Sequence, residues 1–305
     1  MKILCATDLL PTSESAIDRA GMLADQLGAD LSILHVVRPT ESDWLLQQDL
    51  ERASRDLKFR VGLALWRYDT LPNVHVRAGN PTRVLIETLK ELAPDLIVLG
   101  RHRQRGAWDS LAGTMAARVL SERRYPVLIV DGMAWHAYHN IVLALDWTTA
   151  SVEALRVAEA LVLKDAVRSV IVHAYQPPYD GILTSTGIAG DVVTRYSEAW
   201  SHEAEATLRA RLMATSNDFS RYELIVENAT PSAAIQKIVR RMRPDLLVLG
   251  TRGRGRLGRA VLGSVSNRVL ATARCDVLVV PDRTESVTAR RDRVDRRSLD
   301  VIAGI

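Results

Sequence analysis

Two cysteines, two phenylalanines and five lysines are all that 305 residues contain of those types. Cys5 and Cys275 cannot build a disulfide framework, and their scarcity suits a reducing compartment. With aromatics at 5%, the cores must be built from Val, Ile, Leu and Ala. No apolar run approaches the roughly 18–20 residues that a membrane-spanning helix needs. The opening MKILCATDLL has one charge and a very short apolar run before Asp8 and Pro11, which is no signal peptide. A cytoplasmic location with no membrane partner is the expectation. An excess of one charge is missing too. Lys and Arg number 40 against 36 Asp and Glu, and without residues 283–305 the count is 34 against 32. A nucleic-acid-binding domain presents a clustered basic face, so no nucleic-acid partner is expected. The 35 arginines run through the whole chain and reflect genome composition rather than a binding surface. An apolar fraction of 47% with 25% charged residues argues against disorder.

What is present is a repeat. Pro94-Asp95-Leu-Ile-Val-Leu-Gly100 returns as Pro244-Asp245-Leu-Leu-Val-Leu-Gly250, an offset of 150. At that offset Pro81 becomes Pro231, Gly113-Thr114 becomes Gly263-Ser264, and Val127–Val130 becomes Val277–Val280. Nearer the start of each half the offset is 138, matching Asp8 with Asp146 and His35 with His173. The difference of 12 is an insertion between His173 and Pro231, with Gln176–Gly181 and the Ser/Thr/Gly-rich run after it as the site. Two homologous domains, 1–131 and 139–282, are therefore expected. The linker Asp131–Tyr138 joins them, and 283–305 forms a charged tail that reads as solvated.

Each half reads alike. Apolar β-rich runs at Ile3–Ala6 and Ile141–Leu145 open them. Helical spacing follows at Ala16, Ile17, Ala20, Leu23, Ala24 and Leu27. Second strands at Leu31–Val37 and Ser169–Ala174 precede longer helices. Their stripes are Leu46, Leu50, Ala53, Leu57, Val61, Ala64 and Val193, Tyr196, Trp200, Ala204, Leu208, Leu212. Strands at Val74–Arg77 and Tyr222–Val226, helices after Pro81 and Pro231, and strands at Leu96–Leu99 and Leu246–Leu249 come next. A glycine-bearing loop, a last helix and a fifth strand complete each half. Strands alternating with helices mean βαβ units, and continuous apolar strands mean a parallel sheet covered on both faces. The expectation is α/β, with two tandem doubly wound domains. Ligands in such folds bind beyond the carboxyl ends of the strands, at the topological switch point.

After the fourth strand the second half reads Gly250-Thr-Arg-Gly253-Arg-Gly-Arg-Leu-Gly-Arg-Ala-Val-Leu-Gly263-Ser264-Val265-Ser266. Gly263-Ser264 opens the helix 264–273, whose first N–H groups have no helical partner and suit a phosphate. Arg252, Arg254, Arg256 and Arg259 add cations. The run Gly253-x-Gly255-x-x-Gly258 has dinucleotide-fingerprint spacing. That fingerprint belongs after the first strand, with an acid at the end of the next strand. Here it follows strand four, and Asp276 starts the next strand. A phosphate loop of the Walker type needs Lys where Ser264 stands. A tight turn and an ordinary N-cap also fit the pattern.

The spacing Gly250-x2-Gly253-x9-Gly263-Ser264 resembles the ATP-binding pattern of the universal stress protein family. The chain resembles a tandem, two-domain member from Lys2 to Pro281. An Asp closing strand one, a His in strand two, Pro81 or Pro231, Pro-Asp before strand four, and the glycine loop recur in order in both halves. The resemblance implies a five-stranded parallel sheet per domain, Rossmann-like and adenine nucleotide alpha hydrolase-like, with pairing through the fifth strands. It implies ATP, with or without Mg²⁺, at the carboxyl edge. Asp146 would face the adenine side, and the backbone at His173-Ala174 would border the base. Gly250, Gly253, Gly263, Ser264, Val265 and Ser266 would hold ribose and phosphates, with Arg252 among the cations. Half one offers Asp8, Val36, Gly100, Gly113 and Thr114 as a weaker counterpart, because Arg103 stands where the second glycine belongs. No catalytic residue or metal ligand set emerges. The function implied is an ATP-binding stress-response regulator or sensor, with a slow ATPase or nucleotidyl-transfer enzyme as the rival. Its partners would be an adenine nucleotide and a protein the sequence does not identify. Pairing of the domains within the chain leaves room for a homodimer.

Overall fold

The central strands of each half are short apolar runs, and the sheet follows from that. The computed structural model describes residues 1–101, 114–133, 136–161, 168–178, 190–216, 218–251 and 264–281. In half one the strands are β1 (Lys2–Thr7), β2 (Asp30–Val37), β3 (Asn73–Ala78), β4 (Leu96–Gly100) and β5 (Val127–Val130). In half two they are β6 (Asn140–Ala144), β7 (Arg168–Tyr175), β8 (Tyr222–Asn228), β9 (Leu246–Gly250) and β10 (Asp276–Val280). The helices are α1 (Pro11–Leu27), α2 (Asp43–Leu65), α3 (Pro81–Leu92), α4 (Met115–Ser121), α5 (Thr149–Leu161), α6 (Gly190–Thr215), α7 (Pro231–Met242) and α8 (Ser264–Thr272). Among the described residues no helix is long and apolar enough to cross a membrane.

The ten strands form one sheet in the order β3-β2-β1-β4-β5-β10-β9-β6-β7-β8. Each half is parallel throughout, as in a doubly wound domain. The halves meet through β5 and β10, which pair antiparallel in the register Val277↔Ile129, Leu278↔Leu128, Val279↔Val127. One core, under α1, α2, α5 and α6, runs unbroken across that seam. The other, under α3, α4, α7 and α8, does the same. Because the seam is antiparallel, the carboxyl ends of the two five-stranded units lie on opposite edges of the sheet.

Helix boundaries follow local chemistry. Pro81 opens α3 behind Asn80, whose side chain accepts from the N–H groups of Thr82 and Arg83. Gly28 closes α1 with φ 57°, the left-handed cap that glycine adopts without a Cβ penalty. One expected stripe is only half right. Along α6, Leu208 and Leu212 are buried, whereas Trp200 is exposed. A 26-residue helix is about 39 Å long. The seven-residue β8 it covers spans about 23 Å, so the first turns of α6 run past the sheet.

The seam carries a buried ionic cluster. Arg19 of α1 and Asp276 of β10 are almost fully buried, with Nε and Oδ2 3.2 Å apart. The Tyr138 hydroxyl donates to the same carboxylate at 2.6 Å, and the Asp131 N–H donates to its other oxygen at 2.9 Å. The Arg19 guanidinium stacks 4.0 Å from the Tyr138 ring centroid and donates to the His136 carbonyl. Arg101, just after β4, pairs with Asp131 and donates to the Ala273 carbonyl. Burial pushes the Asp276 carboxyl up, against the opposing pull of Arg19, Tyr138 and the Asp131 N–H.

Removing one member of such a pair leaves the other charged and buried, which costs about 3–5 kcal/mol. Arg19→Met is therefore expected to lower stability by about that much in urea unfolding. The double variant Arg19→Met/Asp276→Asn should recover more than half of the loss. A second expectation concerns the thiols. Cys5 and Cys275 are buried, and burial pushes both up to about 12. The thiolate is the reactive form, so both should ignore a chromogenic disulfide reagent in the native protein and react stoichiometrically in denaturant.

Candidate functional site

Strand order reverses between β1 and β4, and again between β6 and β9, so the crevice at those carboxyl ends is where a doubly wound fold places its ligand. In half two Asp146 stands two residues after the end of β6. Its Oδ1 accepts from the Thr148 N–H at 3.1 Å and from the Thr148 hydroxyl at 2.6 Å. In half one Asp8 follows β1, and its Oδ1 accepts from the Leu10 N–H at 3.0 Å and from the Ser13 hydroxyl. Each carboxylate is thus oriented by its own turn.

The turn itself was not legible. Leu9 and Trp147, the residues after the two aspartates, have φ of 63° and 59°. That left-handed region costs a non-glycine residue roughly 1–2 kcal/mol. Both side chains pack against the core beneath, which is why the backbone stays in this conformation. The repeat of the same strained turn at both switch points had no composition signal, because neither residue is Gly, Asn or Asp.

The two histidines tie neighbouring strands together. His35 Nδ1 lies 2.9 Å from the Thr7 carbonyl, and His173 Nδ1 lies 2.7 Å from the Leu145 carbonyl. A carbonyl only accepts, so Nδ1 carries the proton in each. The ring ties the second strand to the end of the first, just before the aspartate. Val36 and Ala174, the next residues along, lie half-buried at the same edges.

Gly250 ends β9 against the first turn of α5. A Cβ there would lie 2.8 Å from the Ser151 nitrogen and 2.9 Å from the Ala150 carbonyl carbon. This glycine is accounted for by packing alone. Ser266, near the start of α8, is buried, and its hydroxyl donates to the Gly250 carbonyl at 3.2 Å. It clamps the helix to the strand end. Ser264 begins α8 and Val265 follows it, half-buried. Asp146, Ala174, Gly250, Val265 and Ser266 thus belong to one edge of half two. In half one Gly100 ends β4, and Thr114 caps α4, its hydroxyl accepting from the Ala117 N–H at 3.2 Å. Arg252, Gly253 and Gly263 lie outside the described residues, as do Arg103 and Gly113. Among the described residues no group of three His, Cys, Asp or Glu side chains is placed to hold a metal.

Gly250→Ala forces backbone against backbone, and overpacking of that kind costs about 1–3 kcal/mol. The loss should appear in thermal melts of protein free of any small molecule, which separates a packing role from a ligand role at this position.

The profile of the universal stress protein family matches residues 1–131 and again 137–281. A universal stress protein of Mycolicibacterium smegmatis is 24% identical over 304 residues, covering 92% of this chain and 97% of its own length. One of Thermus aquaticus, 32% identical over 145 residues, covers 47% of this chain and 98% of its own length. Among solved structures, a universal stress protein of Archaeoglobus fulgidus superposes with a TM-score of 0.70 at 20% identity, covering 92% of this chain and 98% of its own. With the family matched twice and the doubly wound fold repeated, the chain belongs to the universal stress protein family as a tandem, two-domain member.

Proposed function

We propose that the second half binds ATP at the β6/β9 switch point and that the protein works as a nucleotide-responsive regulator or sensor rather than as a fast enzyme. The observation that carries this reading is the sequence Gly250-x2-Gly253-x9-Gly263-Ser264, which links the end of β9 to the start of α8, at the same sheet edge as Asp146. Gly253 and Gly263 would let backbone approach phosphate, and the first N–H groups of α8, which have no partner within the helix, and its dipole would favour an anion. The oriented Asp146 carboxylate supplies an acceptor at the other side of the crevice. Bound ATP would bridge the first-strand turn and the fourth-strand loop and so favour one conformation that a partner reads. Phosphoryl transfer needs placed metal ligands and a group to position the attacking water. The reading assigns neither role to any residue of the chain.

Equilibrium dialysis with labelled ATP should find binding, and a phosphate-release assay should find turnover slower than about 1 per second, the low end of the ordinary enzyme range. Absence of binding, or faster turnover, would overturn the reading. Half two should bind more tightly than half one, because Arg103 replaces the glycine at the position of Gly253. A penalty of about 1–3 kcal/mol corresponds to roughly 5- to 150-fold in affinity. By calorimetry, Arg103→Gly should raise the stoichiometry toward two, and Gly253→Arg should abolish the tight site.

A further inference from the structure

The outer face of α2 ends in large apolar side chains turned to solvent. Phe59 is 65% exposed, Leu63 62% and Trp66 81%. Their spacing of four and three residues puts them on one stripe, opposite the Ala53, Leu57, Val61 and Leu65 positions that pack on the sheet. Exposed single apolar residues are unremarkable, but three in register form a patch. Counted from the buried pairs Leu57/Leu208 and Val61/Leu212, the matching positions of half two are Ala210, Ala214 and Asn217, so the fold does not require it.

A second observation lies within the same stripe. Gly62 is exposed, and a Cβ built on it would meet no atom within 4 Å. It is absent from the residues of positive φ. Among the described residues, neither conformation nor any contact accounts for a glycine there. Relative to Ala it costs the helix roughly 1 kcal/mol. What it creates is a notch between Phe59, Leu63 and Trp66, open outward. A notch and an indole knob on one helix face, four residues apart, are self-complementary: a two-fold axis near residue 64 seats each Trp66 on the Gly62 of the other helix.

We propose that this face of α2 is an isologous interface between two copies of the chain. Its area fits that role and limits its strength. A large aromatic side chain offers about 150–250 Å², so the three residues present roughly 400 Å² per chain and roughly 800 Å² per pair. With the stems of Arg55, Lys58 and Arg67 at the rim, the total reaches about 1,000 Å², the lower bound for a specific interface. An interface at that lower bound suits a reversible dimer rather than an obligate one. The face lies over β2 and β3, away from the β5–β10 seam, so association does not compete with pairing of the halves.

Sedimentation velocity on the full chain from about 1 to 200 μM should show the mass rising toward twice that of one chain. Trp66→Ala should weaken association at least tenfold. Gly62→Leu is the sharper test. It adds apolar surface and helix propensity, so a merely sticky patch would associate more, whereas a filled notch must associate at least tenfold less while its melting temperature holds or rises. Leu63→Cys, beside the axis, should cross-link to its own copy on mild oxidation, since Cys5 and Cys275 are buried. A wild-type chain that stays monomeric to 200 μM overturns the proposal. So does a dimer that Trp66→Ala leaves unchanged, or tighter association by Gly62→Leu. Dimerisation that appears only after residues 283–305 are removed would also overturn it, by making the tail the occupant.

Discussion

The antiparallel pairing of β5 with β10 is the contact on which the rest of this molecule depends. Each five-stranded unit ends in a short, fully buried run, Val127–Val130 or Val277–Val280. An edge of that composition, left open, is a template for pairing with another chain. Joining the two edges removes both at once and fuses the cores on each face into continuous layers. It also sets the position of everything at the carboxyl ends. The turn after β1 and the turn after β6 point to opposite edges because the seam reverses strand direction, so two nucleotides bound there would have no direct contact.

Apolar strands alone would not choose between β5–β10, β5–β5 and β10–β10 pairings, since all three bury similar Val and Leu side chains. The ionic cluster does choose. Asp276, Arg19, Arg101 and Asp131 have as their repeat counterparts Pro126, Val157, Thr251 and Pro281. Two copies of β10 brought together would bury each Asp276 against Val157 and Pro281 with no cation. Two copies of β5 would leave Arg19 with no carboxylate from the facing strand. Only β5 with β10 satisfies both. That burial still pushes the Asp276 carboxyl up, despite its partners, says that the cluster adds little net stability. Its effect is on which strand pairs with which.

Much of this was readable from residue patterns, and the reasons are specific. The repeat at offsets 138 and 150 fixed the number of units, and short, mostly apolar runs of four to seven residues marked the strands, because a sheet covered on both faces needs little else. The carboxyl-edge location of Asp8 and Asp146 followed from strand order alone. Other features left no trace. The left-handed Leu9 and Trp147 have no turn-forming residue to announce them, since packing from below holds the strain. The outward turns of α6 carry Val193, Tyr196 and Trp200 at core spacing, but only the length of β8 decides how much of that stripe is covered. Ser266 and Gly250 read as ligand positions from spacing, yet each has a partner within the chain, Gly250 the first turn of α5 and Ser266 the carbonyl of Gly250. A motif's spacing cannot separate a glycine that makes room for a helix from one that makes room for a phosphate.

The asymmetry of the two halves has one physical origin. In a dimer of identical subunits, any substitution at the seam or in the loop appears twice, so a cluster such as Arg19–Asp276 would have to form on both edges. Covalent linkage through Asp131–Tyr138 removes that constraint. The linker itself joins the cluster, through the Tyr138 hydroxyl and the Asp131 N–H, so the lock exists only where the linker passes. That is the carboxyl edge of half one. Arg101, anchored to Asp131 and to the Ala273 carbonyl, is also the residue from which the half-one glycine loop departs. Among the described residues, its counterpart Thr251 is bonded through its backbone N–H to the Val280 carbonyl, within its own half. The first loop therefore starts from a residue bound to the other domain, and the second starts from a residue bound within its own. A chain built this way ties the carboxyl edge of one half into the ionic cluster at the seam and leaves the carboxyl edge of the other outside it.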